Sequence, residues 1–362
     1  MATHFHVLTV KDIRRETPEC VSIAFDIPAA LKDDFQFTHG QNITVKKTIG
    51  GEEIRRSYSI CSSPLDNELR IAVKKVADGK FSSWANSELK ESGTLEVLPP
   101  SGKFYTPLQA GNRKNYIAFA AGSGITPLLS IIKTTLATEP QSNFTLIYGN
   151  RSRSSIIFKE ELEALKNKFI NRFSIHHILS REKTDIPLSY GRINEEKCES
   201  IFGHLINIKT CDEFFLCGPE EMIFSVKDYL EKKEVDRRKI HFELFTTPGV
   251  KKSKAGIQNE QVKKEYEGKT SKVTIKLDGV AFDFNLSYNG DAVLDAALRL
   301  GADLPFACKG GVCATCRAKL EEGEVEMDTN YALEPEEIKN GFILTCQSHP
   351  RSDRVVIDYD AR

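Results

Sequence analysis

Cys308, Cys313 and Cys316 fall within nine residues, and Cys346 stands thirty residues further on. No other feature constrains the chain as much. A C-x4-C-x2-C run with a distant fourth cysteine is the spacing of plant-type 2Fe–2S ligation. Two bridged irons need four thiolates, and here three must come from one tight loop. Gly310 and Gly311 let that loop curl, and its amides can then point at the sulfurs and stabilise their negative charge. Structural zinc also accepts four cysteines but usually takes them as two paired knuckles, whereas Cys346 stands alone. A secreted disulfide framework would spread and pair nine cysteines differently across 362 residues.

A chain longer than roughly 250–300 residues is expected to divide into two or three domains. Short β-rich runs (HVLTVKDI, CVSIAFDI, NITVKKT, LRIAVKKV, TLEVLP) separated by turn signals predict an antiparallel β-barrel over 1–107. One helical run, about Phe81 to Leu89, interrupts it. From 108 to 248 buried-type strands (YIAFA, FTLIYGN, FSIHHILS, EFFLCG) alternate with helical runs, which predicts a parallel α/β sheet closing near HFELF. Residues 249–269 are polar and charged and read as a linker. The remainder, 270–362, holds two strands around Asp278-Gly279, a helix in DAVLDAALRLG, the Cys-rich loop and a last strand VVIDYD. The expected fold is therefore multidomain, α/β and α+β.

Lys and Arg number 50, Asp and Glu 51, for a net charge of −1, so no global field draws the chain to nucleic acid or an anionic membrane. The N-terminus lacks an apolar signal region, and no stretch approaches 18 uncharged apolar residues. A soluble cytoplasmic protein is expected.

Inside the barrel region, Arg56-Ser57-Tyr58-Ser59 ends a β-rich run and Gly79-Lys80-Phe81-Ser82 opens the helix. A helix N-terminus offers free amides and positive partial charge to a pyrophosphate. Arg56 can reach the same anion, and Tyr58 offers a flat face. In the α/β region YIAFA runs into Gly122-Ser123-Gly124-Ile125-Thr126-Pro127, where glycines permit close approach of a dinucleotide and proline suits a first helical turn. Cys217-Gly218-Pro219 ends another strand, so both loops are expected at the carboxyl edge of one parallel sheet. Asn150-Arg151 and Ser180-Arg181 follow two further strands and can supply donors to a 2′-phosphate, favouring NADPH.

Taken together, R-x-Y-S, G-K-x-S, G-x-G-x-x-P and C-G-P-x-x-M resemble the ferredoxin–NADP reductase superfamily. That resemblance implies FAD bound by Arg56, Ser57, Tyr58 and Ser59, with Ser59 beside the reactive flavin nitrogen. It also implies Gly79, Lys80, Phe81 and Ser82 at the pyrophosphate, and Val73 and Lys74 lining the flavin through their backbone. Cys217 would sit at the place of hydride transfer in an orienting role, while Glu243 and Phe245 approach the flavin edge. His39 departs from the proline frequent in the family, although Gly40 and Gln41 remain. Residues 270–362 resemble a plant-type ferredoxin of the β-grasp fold, whose four cysteines are the ligands.

The domain order, ferredoxin last, is similar to that of oxygenase reductases of the phenylacetyl-CoA epoxidase type. It implies a partner made of the oxygenase subunits of a multicomponent di-iron monooxygenase. A reductase of another hydroxylase or of a desaturase has the same parts. A non-catalytic Fe–S redox sensor or scaffold would have no use for an intact nucleotide site and Cys217.

Overall fold

The computed structural model describes residues 4–245 and 266–361; most of the expected linker, 249–265, lies outside them. Two compact units result, one built from Phe5–Ile54 and Tyr58–Phe245, the other carrying the C-terminal residues.

The first unit begins with six strands: β1 (His6–Thr17), β2 (Cys20–Asp26), β3 (Asn42–Ile49), β4 (Glu52–Ser59), β5 (Leu69–Lys74) and β6 (Thr94–Val97). Their order is β4-β3-β6-β1-β2-β5. A bridge from Ile60 to Ile71 ties the segment after β4 to β5, curling the sheet towards closure. Leu8, Ile23, Ile43, Val45, Ile71, Val73 and Leu95 fill its interior. Helix α1 (Lys80–Ser87) lies against it, burying Phe81, Ser82 and Ala85. Strand β2 is buried on both faces because Val21, Ile23 and Phe25 face the barrel core while Cys20 joins the neighbouring core.

That neighbouring core belongs to a parallel sheet of β7 (Asn115–Ala121), β8 (Asn143–Asn150), β9 (Phe173–Leu179), β10 (Glu213–Gly218) and β11 (Ile240–Leu244), ordered β11-β10-β7-β8-β9. Covering helices are α2 (Ile125–Thr138), α3 (Lys159–Lys168), α4 (Glu195–His204) and α5 (Glu220–Lys232). The order reverses between β7 and β10, and ligands of such sheets bind outside the carboxyl ends of the strands at that point. Helix α4 buries only Cys198 and Ile201, so its apolar pattern is too sparse to announce a helix from sequence.

A polar row on α2 joins this sheet to the barrel. Ser130 donates to the Ser62 carbonyl at 2.6 Å, Thr134 and Ser63 share a 2.9 Å hydrogen bond, and Lys133 reaches Asp66 and Glu161 at 2.6 Å each.

The second unit pairs β12 (Thr270–Leu277), β13 (Val280–Ser287), β14 (Arg317–Glu322), β16 (Phe342–Leu344) and β18 (Arg354–Asp358) in the order β13-β12-β18-β14-β16. A small hairpin of β15 (Val325–Met327) and β17 (Ser348–Pro350) stands apart. Asp278 and Gly279 take φ of 53° and 72°, the left-handed pair that closes a two-residue hairpin between β12 and β13. Helix α6 (Val293–Arg299) packs Val293, Leu294 and Ala297 on the sheet, and α7 (Pro335–Lys339) follows the hairpin's first strand. This mixed sheet with one packed helix is the architecture expected of 270–362. Among the described residues no helix is long and apolar enough to cross a membrane.

Candidate functional site

The turn after β7 and the turn after β10 meet at the carboxyl edge of the parallel sheet. A Cβ on Gly124 would lie 2.0 Å from the Cys217 carbonyl oxygen, so only glycine allows the two turns this contact. Gly122 adopts φ of 54°, and its carbonyl accepts from the Tyr148 hydroxyl at 3.0 Å. Thr126 is buried and donates to the Ser123 carbonyl at 3.0 Å, closing the first turn of α2, with Pro127 buried beside it. At Gly218 a Cβ would meet Met222 Cε at 2.8 Å and the Ala121 nitrogen at 3.1 Å, and Pro219 caps α5.

Cys217 is fully buried, and burial pushes its thiol well above the ordinary range, with the charge of Glu243 adding to it. These two residues are partners in the β10/β11 register. The Ser59 hydroxyl, at the end of β4, donates to Glu243 Oε2 at 2.9 Å. Desolvation pushes the Glu243 carboxyl up to about 7 against the opposing pull of the Ser59 hydrogen bond. Ser59, Cys217 and Glu243 are thus brought together from three strands of two sheets. Phe245, one residue past β11, is exposed.

The residues expected from sequence to hold a flavin have these surroundings. Tyr58 is half-buried, with its ring 5.6 Å from that of Phe81 and tilted by 35°. Arg56 and Ser57 are half-buried on β4, and Arg56 Nη1 donates to the Arg55 carbonyl at 2.7 Å. Gly79 is the N-cap of α1, and no side chain caps the amides of that first turn, which leaves donors for an anion. Two expected contacts have other partners. The Ser82 hydroxyl accepts from the Val76 amide at 3.1 Å and donates to the Gly79 carbonyl at 3.2 Å, and the Val73 carbonyl is held by Asn86 Nδ2 at 2.9 Å. Lys80 is paired with Glu52.

Lys74 shows a second face that sequence reading missed. Its Nζ lies 3.4 Å from where a Gly122 Cβ would stand, so its ammonium, and not only its backbone, borders the nucleotide turn. Burial and then the charge of Arg151 push that ammonium down. Arg151 and Arg181 end neighbouring strands, the Arg181 amide donating to the Arg151 carbonyl at 2.9 Å. Ser180 likewise donates its amide to the Asn150 carbonyl at 2.9 Å. Glu182, the nearest acid in sequence, is taken by Arg153. The arrangement fits a dinucleotide, with a glycine-lined approach and the Lys74 cation beside it.

In the second unit the four cysteines form two pairs. Cys308 and Cys313 interact directly, and the Gly310 amide donates to the Cys308 sulfur at 3.3 Å; the Cys313 contact and the loop amides pull the Cys308 thiol down against burial. Cys316 and Cys346 likewise interact, and the Cys346 thiol is pulled down by that contact and further by Gln347 and the Gly311 amide. Two irons, each needing two protein sulfurs, match two thiol pairs. Thr315 and Gln347, bonded to the sulfurs of the candidate ligands Cys313 and Cys346, were not among the residues expected from sequence. Side-chain donors adjacent in sequence to ligand cysteines are the signal that could have found them.

Family models match in order: an oxidoreductase FAD-binding domain over 8–106, an oxidoreductase NAD-binding domain over 119–228 and a 2Fe-2S iron-sulfur cluster binding domain over 275–351. The chain is 44% identical over 361 residues to the E component of 1,2-phenylacetyl-CoA epoxidase of Escherichia coli (strain K12), covering 99% of each chain. It is 32% identical to the 3-ketosteroid-9-alpha-monooxygenase ferredoxin reductase component of Rhodococcus rhodochrous, over 98% of this chain and 96% of that one. The solved structure of phthalate dioxygenase reductase, at 23% identity, superposes with a TM-score of 0.57 over 98% of both chains. With its FAD-binding barrel, NAD-binding sheet and C-terminal 2Fe-2S domain in that order, the chain belongs to the family of oxygenase reductase components that includes this phenylacetyl-CoA epoxidase component.

Proposed function

We propose that this chain draws electrons from NADPH, passes them through FAD to a 2Fe–2S cluster, and delivers them to the oxygenase subunits of a multicomponent di-iron monooxygenase. The oxygenase we assign is the one that epoxidises the ring of phenylacetyl-CoA in aerobic phenylacetate degradation, because the similarity to the epoxidase component runs end to end. A cytoplasmic setting belongs to the same reading, as do the domain limits 1–107, 108–248 and 270–362 with a linker at 249–269.

One observation carries the proposal. The Gly124 and Cys217 turns meet beside the Ser59–Glu243 pair in a chain that also holds four thiols in two pairs. Held by these residues, FAD would supply the conversion of a two-electron hydride into single electrons, which a one-electron cluster requires.

The chain's own residues bind and orient. Arg56 and the first-turn amides at Gly79, Lys80, Phe81 and Ser82 hold the flavin pyrophosphate, while Tyr58 presents its face and Ser57, Val73 and Lys74 complete the wall. Gly122, Gly124, Thr126 and Pro127 admit the nicotinamide nucleotide, and Gly218 and Pro219 bound it opposite. Arg151, Ser180 and Arg181 take the 2′-phosphate. Cys217 orients the nicotinamide without covalent chemistry, Ser59 and Glu243 hold a proton beside the reacting atoms, and Phe245 borders the flavin edge. Cys308, Cys313, Cys316 and Cys346 hold the cluster.

A second oxygenase class remains a reading of its own, favoured by the similarity to reductase components of other monooxygenases. Purified protein should contain iron, sulfide and FAD, and NADPH should bleach the flavin and then produce the electron paramagnetic resonance signal of a reduced cluster. Serine at any of the four cysteines should abolish reduction of acceptors served by the cluster and leave flavin bleaching intact. Zinc in place of iron, or a flavin that NADPH leaves oxidised, would overturn the proposal. Epoxidation on reconstitution with phenylacetyl-CoA oxygenase subunits, and with no other oxygenase, separates the two partner readings.

A further inference from the structure

Gln347 directly follows the ligand Cys346 and is only 3% exposed. A buried amide costs free energy unless its donors and acceptors are used, and here they all are. Its Nε2 lies 3.0 Å from the Lys309 carbonyl, 2.8 Å from the Cys346 carbonyl and 3.5 Å from the Cys346 sulfur, so two protons serve three acceptors. Its Oε1 accepts from the Thr329 hydroxyl at 2.8 Å. One side chain therefore touches the cysteine loop at 309, the ligand segment at 346 and the covering turn at 329.

The surrounding backbone leaves little room for that turn to lie elsewhere. Lys309 takes φ of 51° and Gly311 φ of 74°. A Cβ on Gly311 would stand 3.0 Å from the Thr329 carbonyl and 3.3 Å from Gln347 Cγ. The Tyr331 amide donates to the Gly311 carbonyl at 3.0 Å. Thr329–Tyr331 thus lies on the cysteine loop, and Gln347 fills the space between them.

We propose that Gln347 tunes and positions the cluster: its amide N–H on the Cys346 sulfur raises the cluster's reduction potential, and its bonds to Lys309 and Thr329 clamp the cysteine loop under the covering turn. This rests on the reading that the four cysteines hold the cluster. A reduced cluster carries one more negative charge than an oxidised one, so a hydrogen bond donated to a ligand sulfur favours the reduced form. Most other donors to these sulfurs are backbone amides, which no side-chain substitution removes. The Thr315 hydroxyl, 3.2 Å from the Cys313 sulfur, serves the first thiol pair; Gln347 serves the second. A carboxylate in its place would remove the donor and add a charge.

The test uses full-length protein carrying FAD and cluster, as wild type, Gln347→Leu, Gln347→Glu and Thr329→Val. Iron and sulfide are assayed, the cluster is titrated electrochemically under electron paramagnetic resonance, and flavin reduction by NADPH is timed. Gln347→Leu should disfavour cluster reduction by about tenfold, a fall of ~59 mV for a one-electron couple. Gln347→Glu should fall further, and Thr329→Val less, in the same direction, because the amide loses its anchor. Flavin reduction should keep its wild-type rate. Cluster-replete Gln347 variants that titrate at the wild-type potential would overturn the inference. Should those variants lose their cluster, Thr329→Val decides, and an unchanged potential there overturns it equally. Wild-type protein without iron and sulfide would instead sink the reading beneath it.

Discussion

The Ser59 hydroxyl donates to Glu243 Oε2 at 2.9 Å, linking the last residue of a barrel strand to the edge strand of the parallel sheet. The bond gives the carboxyl a fixed neighbour, and desolvation holds its proton up to about 7. Below that pH the group is neutral; above it, in the proposed function, a carboxylate would stand where hydride delivers negative charge. Flavin reduction by NADPH should therefore slow as pH rises through about 7, and Glu243→Gln should flatten the profile in stopped-flow measurements. The stability sign is the same. The folded chain keeps this proton to about 7, whereas the unfolded chain releases it near the ordinary 4.5, so this group's contribution to stability falls as pH rises across that window. Thermal melts of the Gln variant should lose that component.

Gly124→Ala places a methyl 2.0 Å from the Cys217 carbonyl, where backbone has to move. Overpacking of this kind costs about 1–3 kcal/mol. The variant should still bind flavin and cluster, but NADPH-driven flavin reduction should drop by at least about tenfold, since hydride transfer depends on sub-ångström placement. Chemical reduction of the cluster should give an unchanged resonance spectrum.

Arg181 is exposed at the end of β9, its amide bonded to Arg151. A hydrogen bond to a charged group contributes roughly 1.5–3 kcal/mol, so Arg181→Ala should raise KM for NADPH by about tenfold or more. KM for NADH should stay near its wild-type value. Equal changes in the two would remove Arg181 from the 2′-phosphate.

Lys133 lies between Asp66 of the barrel and Glu161 of α3, at 2.6 Å from each. Burial alone would push its ammonium down, but the two carboxylates outweigh burial and hold it up. Lys133→Met leaves both acids without their cation and should cost about 1–3 kcal/mol. A fall of several degrees in Tm, with FAD content unchanged at low temperature, is the expected result.

Much of this protein was legible in order along the chain. Period-two runs marked the barrel, buried-type strands between helical runs marked the parallel sheet, and the cysteine spacing marked the last domain, because each signal is local and needs no distant partner. The turn glycines at 122 and 124 were legible for the same reason. Tertiary structure decided what lies far apart in sequence. It set Glu243 against Ser59, turned the Lys74 ammonium towards Gly122, drew Ser82 and Asn86 into bonds within the barrel, and laid Gln347 against Cys346, Lys309 and Thr329. A hydrogen bond across 184 residues leaves no periodicity to read. Only packing, by burying a polar group, fixes which partner must satisfy it.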